Sequence, residues 1–290
     1  MTSSPTPDPS NDERTRTVAA NGGRPTLIDI GGNLTNRVFR EDMGAVLERA
    51  AHAGVSAIVI TGVSAPLSRR AFEIAAERTS RAVRLYATSG IHPHNAKTAN
   101  TEALREIEEL LAKPRVVAAG ECGLDYDRDF SPRDVQRRAF EQQLEIAAAT
   151  KKPVFLHERA AHEDFTKILA KHRPNLTRAV VHCFTGDRQT LERYIDLDLH
   201  IGFTGWLCDE RRGTHLHDLV GLVPRGRIMV ETDAPFILPR DMPDKPKNNR
   251  NEPAFVTHVA RSVARHRGET FEDFAAHTTA TATAFFDLAS

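Results

Sequence analysis

The chain has 290 residues, enough for one large or two ordinary domains. Its 39 Lys plus Arg balance 39 Asp plus Glu, so no global positive field draws it to a polyanion and any nucleic-acid contact must be local. Three cysteines, Cys122, Cys183 and Cys208, are odd in number and form no Cys-x-x-Cys pair, which argues against a disulfide framework or zinc knuckle and suits a reducing cytoplasm.

Residues 1–25 are rich in Ser, Thr, Pro, Asp and Arg and nearly lack large apolar side chains, so they read as a disordered arm ahead of one domain over 26–290. Acids at Asp8, Asp12 and Glu13 do not suit a transit peptide, and the arm has no apolar run for a signal peptide. Nowhere does an apolar run approach membrane-spanning length.

From Thr26 onward, short apolar runs alternate with longer amphipathic stretches, the βα pattern of a parallel sheet. Strands are expected at Leu27 to Ile30, Ala57 to Thr61, Arg84 to Thr88, Val116 to Ala119, Pro153 to Leu156, Ala179 to Val181, His200 to Phe203 and Ile228 to Val230. Eight such strands close a TIM (β/α)8 barrel. Helices are expected near 41–52, 65–79, 101–112, 161–172, 187–196, 214–221 and 253–266. Another follows Ser131-Pro132, read as an N-cap with Pro at the first helical position and Asp134 as the capping-box acid. A tail near 270–287 with Phe271, Phe274, Phe285 and Phe286 is expected to cap one side of the barrel.

Polar groups gather where the strands end. The third is followed by Ile91-His92-Pro93-His94, the fourth by Glu121, the fifth by His157, the sixth by His182 and the eighth by Asp233. Each has a plainer reading: Glu121 as an arginine partner, the histidines as hydrogen-bonded core groups, Asp233 as a helix N-cap. Their coincidence at one barrel end favours a site instead. Mixed oxygen and nitrogen donors without thiolate suit hydrolysis with Mg²⁺, Mn²⁺ or Zn²⁺. Cys122 and Cys183 neighbour candidate ligands, but adjacent strand residues face opposite ways, which places the thiols in the barrel wall.

With these residues in hand, the chain resembles the TatD family of metal-dependent deoxyribonucleases. The resemblance runs from about Leu27 to the end, through DIGGNLT (29–35), GIHPH (90–94), GECGLDYDRDFSP (120–132), VHCFTG (181–186), GFTGWLCDERRG (202–213), ETDAP (231–235), LPRD (238–241) and NRNEPA (249–254). It implies 3′ to 5′ exonuclease action on single-stranded DNA, extended here to RNA 3′ ends, by a monomeric cytoplasmic enzyme of DNA repair or degradation. It also implies a divalent cation, Mg²⁺ foremost, held by Glu121, His157, His182 and Asp233, with His92 as an active-site histidine.

Two positions depart from the commoner family pattern. Gly31-Gly32-Asn33 stands where many relatives carry a His-x-His pair, a form shared with the TatD subgroup, which puts a tightly held second metal in doubt. Glu158 stands where relatives usually have a small residue, as a solvated acid or as extra negative charge near the metal. The catalytic roles expected are Asp233 as base toward the attacking water, Glu121 as both ligand and catalytic carboxylate, and His92 at the leaving oxygen. Asn33, Arg128, Arg250 and Asn251 are the substrate-binding candidates, and Trp206 and Phe203 the candidates for base stacking, with core packing the stronger reading for Phe203. The competing functions are an amidohydrolase-type barrel acting on esters or amides, such as mischarged aminoacyl-tRNA, and a non-catalytic metal-binding partner protein.

Overall fold

The computed structural model describes residues 25–288. Of the arm expected over 1–25, all but Pro25 lies outside that range. Eight strands run in chain order: β1 (Leu27–Gly32), β2 (Val55–Ile60), β3 (Arg84–Ser89), β4 (Val116–Asp125), β5 (Val154–Arg159), β6 (Ala179–Val181), β7 (His200–Phe203) and β8 (Ile228–Val230). They pair in parallel and in sequence order in one sheet. Gly32 bridges Ala234 at the remaining seam, where Asp233 N donates to Gly31 O at 2.8 Å and Asn33 N to Ala234 O at 2.7 Å. The seam thus brings β8 back to β1, and the expected TIM barrel is what forms.

The helices are α1 (Met43–His52), α2 (Ala65–Arg78), α3 (Thr101–Leu111), α4 (Arg133–Thr150), α5 (His162–His172), α6 (Arg188–Asp196), α7 (Val256–Arg267) and α8 (Phe271–Phe286). Ser64, Asn100, Asp187 and Thr270 cap α2, α3, α6 and α8 by accepting from backbone N–H groups in the first turn. Strand residues are buried on both faces, and two apolar clusters result. One lies between the strands and the helices and includes Leu27, Val55, Leu85, Phe140, Phe165 and Val259. The other joins Ile28, Ile30, Val59, Phe155, Val180 and Met229 to Phe285, Phe286 and Leu288. The tail therefore does close one side of the barrel, and hydroxyls of Thr278 and Thr279 fasten α8 to the carbonyls of Ile228 and Thr26 at 3.1 and 2.6 Å.

Two local expectations are corrected. The α-helix expected near 214–221 is a pair of 3-10 turns, Thr214–Asp218 and Val220–Leu222. Glycines at 213 and 221 weaken a longer helix there, and the Arg267 guanidinium takes the carbonyl oxygens of Val220 and Val223. Ser131 is not the cap of α4: Pro132 holds the N-cap position without a side-chain bond, while Ser131 Oγ donates to His94 O at 3.1 Å. The fold uses that hydroxyl to tie the β3 and β4 loops together.

The strand bearing Glu121 does not end at Ala119. Three steps along β4, from Ala119 to Cys122, match two along β5, from Val154 to Leu156, so an extra residue bulges out of the ladder. Gly120 makes this possible: its φ is +127°, and a Cβ there would stand 2.1 Å from Phe155 O.

Candidate active site

The bulge in β4 turns the Glu121 carboxylate into the mouth of the barrel, where three imidazoles meet a single oxygen. His182 Nε2 stands 2.7 Å from Glu121 Oε1, His157 Nδ1 3.1 Å and His92 Nε2 3.3 Å. Glu121 and His182 are buried, and His157 Nδ1 lies 3.3 Å from His182 Nε2. Burial opposes ionisation of Glu121, but the charge of His182 and hydrogen bonds from His157 and His182 hold its carboxyl well below the usual range. Burial likewise opposes charging of His182, which the acids Glu121 and Glu231 overcome, raising it well above an ordinary imidazole.

His92 differs from its neighbours. Its Nδ1 accepts from the backbone N–H of His94 at 3.1 Å, so in the neutral ring the proton sits on Nε2 and points to Glu121. Burial pulls its pKa down to about 4 against the attraction of Glu121, and this keeps the ring neutral near pH 7.

Asp233 enters from the β8 segment. Burial pushes its carboxyl up to about 7, with His182 opposing and Glu121 and Glu231 adding to the rise. Its one hydrogen-bond donor among the described side chains is Asn33, whose Nδ2 lies 2.8 Å from Oδ1. The sequence-expected residues Glu121, His157, His182, Asp233 and His92 are thus assembled in one mouth, and Asn33 is engaged by Asp233.

Three further residues belong to the same cluster and were not among the sequence candidates. Asp125 lies beside His157 Nε2 at 3.4 Å and His94 Nε2 at 2.7 Å. Glu231 is fully buried, accepts from Cys183 N at 2.6 Å and lies 3.4 Å from His182 Nδ1. Asp29, also fully buried, accepts from Thr232 N at 2.9 Å and Thr232 Oγ1 at 2.6 Å. A usable signal existed for one of them: Glu121 and Asp125 are separated by four strand positions, and even spacings share a face.

Several expected roles are corrected by what the side chains touch. Arg250 does not face solvent as a phosphate ligand: its guanidinium binds Asp42 at 2.6 and 3.0 Å, Glu252 at 2.7 Å and Val38 O at 2.8 Å. Asn251 is fully buried, and its amide donates to Thr232 O at 2.8 Å, Phe236 O at 2.6 Å and Ile237 O at 3.2 Å. Both hold the loop after β8 in place. Arg128 is exposed, its guanidinium 3.8 Å from Asp127, while its backbone N–H donates to Asp125 Oδ1 at 2.9 Å. Glu158 is not simply solvated, because it accepts from Ala161 N at 2.8 Å and Tyr194 OH at 2.7 Å. Phe203 is core. Cys122 is fully buried, and burial lifts its thiol far above the ordinary range and that of Cys183 to about 12, which disfavours either thiolate as a nucleophile.

The buried donors suit a cation. Nitrogen atoms of His157 and His182 face each other at 3.3 Å beside one carboxylate oxygen, a mixed nitrogen and oxygen donor set that suits a divalent cation. Atoms of His92, Glu121 and His157 also lie close enough together to hold an ion. Residues 28–287 match the family model of TatD related DNases. The chain belongs to this family. Two relatives, each named a 3′-5′ ssDNA/RNA exonuclease TatD, are 50% identical over 243 residues in Rahnella sp. (strain Y9602) and 45% over 262 in Erwinia amylovora. These alignments span 84% and 90% of this chain, and 91% and 100% of the relatives. Among solved structures, the TatD homologue YJJV of Escherichia coli k12 matches with a TM-score of 0.82 and 28% identity, over 91% of this chain and 98% of that one. TatD membership makes the chain a metal-dependent hydrolase acting on nucleic acid. No helix among the described residues is long and apolar enough to cross a membrane.

Proposed function

We propose that this TatD-family chain removes nucleotides from the 3′ end of single-stranded DNA or RNA by metal-dependent hydrolysis. The observation that carries this reading is the convergence of three imidazole nitrogens on Glu121 Oε1, with the half-buried carboxylate of Asp233 acting on the same group of charges. Glu121, His157, His182 and Asp233 would hold a divalent cation, Mg²⁺ first, which when bound polarises the phosphodiester and neutralises charge developing on it. His92 is set apart from these four, because its Nε2 carries the proton and is a donor.

The chain's own groups then divide the work. Asp233, held near 7 by burial and oriented by Asn33, takes a proton from the attacking water. His92, whose Nε2–H stands beside Glu121 Oε1, would donate that proton to the oxygen that leaves. Asp125 fixes the His157 ring from its other nitrogen and Glu231 does so for His182, as outer partners of ligating histidines commonly do.

Incubation of 5′-labelled single-stranded DNA with the protein, with Mg²⁺ and with EDTA, tests the reading. A ladder shortening from the 3′ end in Mg²⁺ alone is expected. An intact oligonucleotide together with hydrolysis of a carboxylic ester would move the chain to the amidohydrolase class.

A further inference from the structure

The rim of the barrel carries a cleft that the hydrolytic cluster does not use. It measures about 250 Å³ and is walled by Trp206, Asp209, Arg211, Arg212, Ile237 and Arg240. These residues come from the segments after β7 and β8, and the two segments touch closely: a Cβ on Gly205 would stand 2.4 Å from Ile237 O. Ile237 follows Asp233 by four positions, so the cleft flanks the site.

Its electrostatics are built from the inside. The Asp209 side chain is 3% exposed and takes two nitrogens from each of Arg211 and Arg212, at 2.9–3.1 Å, whereas those arginines are 54% exposed. A buried carboxylate therefore orients two guanidinium groups that still face solvent. Arg240 pairs with both Asp209 and Glu210 only at 3.6 Å, longer than a hydrogen bond, and its side chain stays 42% exposed, so part of the guanidinium still faces solvent. Three cations against two acids leave a local excess of one positive charge in a chain of zero net charge. Beside them lies an aromatic plane: Arg212 packs on the Trp206 ring at 4.2 Å, and Arg159 approaches it at the looser distance of 6.0 Å.

An aromatic face adjoining oriented guanidinium groups is the pairing that holds single-stranded nucleic acid without reading its sequence. We infer that the cleft is a nucleotide subsite, which stacks the base of a chain nucleotide next to the scissile one on Trp206 and binds its phosphate through Arg240, with Arg211 and Arg212 as a fixed positive wall. The inference rests on the phosphodiesterase reading above and extends it. A duplex cannot enter so small a space.

Trp206 is the sole tryptophan of the chain, so its emission reports this cleft alone. Phosphorothioate-linked oligothymidylate carrying a 5′ dye is titrated into the Mg²⁺-loaded protein, with binding followed by dye anisotropy. Saturable quenching of the tryptophan with the same midpoint is expected; saturation without any change in emission overturns the subsite. In parallel, kcat/KM is measured on decathymidylate and on bis(p-nitrophenyl) phosphate, a diester too short to span both places. The ratio of the two should fall roughly 10-fold in Trp206→Ala and in the exposed Arg240→Gln, with Trp206→Phe restoring most of it. An unchanged ratio in both Trp206→Ala and Arg240→Gln also overturns it. If the wild-type protein cleaves neither substrate, the phosphodiesterase reading fails, and the emission titration still decides whether the cleft binds.

Discussion

The side-chain amide of Asn33 donates to Asp233 Oδ1 at 2.8 Å across the seam between β8 and β1, joining residues 200 positions apart in sequence. Asp233 lies in a backbone conformation with φ of 54°, and Asn33 is the neighbour that fixes its carboxylate. Asn33→Ala should therefore lower kcat on single-stranded DNA by about 10- to 100-fold, the scale of one hydrogen bond to a charged group, with a smaller change in KM. Steady-state kinetics in Mg²⁺ checks this, and an unaltered kcat would remove Asn33 from the machinery.

Glu121→Gln, His157→Ala and His182→Ala should each abolish metal-dependent hydrolysis and reduce bound metal while the barrel stays folded, because these groups sit at the mouth and not in the helix-facing core. Activity, metal content after dialysis and far-UV circular dichroism are the measurements. Near-full activity in any two of the three would exclude those residues from the site.

The fully buried Asp29 predicts a pH-dependent stability for the metal-free protein. Burial raises its pKa to about 7 from an ordinary 3.8. Between those values the folded state binds more protons than the unfolded state, so the slope of unfolding free energy with pH is negative. The stability from this group is complete below the unfolded value and declines as pH rises through the folded one, by on the order of 4 kcal/mol in all. Asp29→Asn keeps a neutral group beside Thr232 and should remove that slope. Urea titrations of both proteins in EDTA should show the variant gaining on the wild type between about pH 4 and pH 7; a constant difference would refute the assignment.

Asn251→Ala should act on folding before it acts on substrate. Its amide satisfies carbonyl oxygens of Thr232, Phe236 and Ile237, and truncation strands them in the interior at a cost of about 2 kcal/mol. Equilibrium unfolding in urea measures the loss. A variant of wild-type stability with a raised KM would return Asn251 to the list of substrate ligands.

Substrate form follows from the balance of charge. A chain of zero net charge cannot hold a long duplex through many phosphates, so few nucleotides near a free end should be bound and the salt dependence should be shallow. Linear single-stranded DNA should shorten with time in Mg²⁺, while a circle of the same sequence resists. Rapid nicking of the circle would make the enzyme an endonuclease.

Periodicity and residue type by themselves determined the barrel: eight apolar runs alternating with amphipathic stretches have few ways to bury themselves, and polar groups behind those runs collect at one end. They also picked out Glu121, His157, His182 and Asp233, whose types are costly to bury without a partner. Which way each side chain points was decided only in three dimensions. Gly120 read as the end of a strand, yet it is the bulge that turns Glu121 inward; Arg250 and Asn251 read as free loop groups, yet Asp42, Glu252 and a set of backbone carbonyls consume their donors. Asp29 and Glu231 were hidden for the same reason. Their partners, Thr232 and Cys183, stand 203 and 48 positions away, and no local pattern encodes a contact that exists only once the barrel has closed.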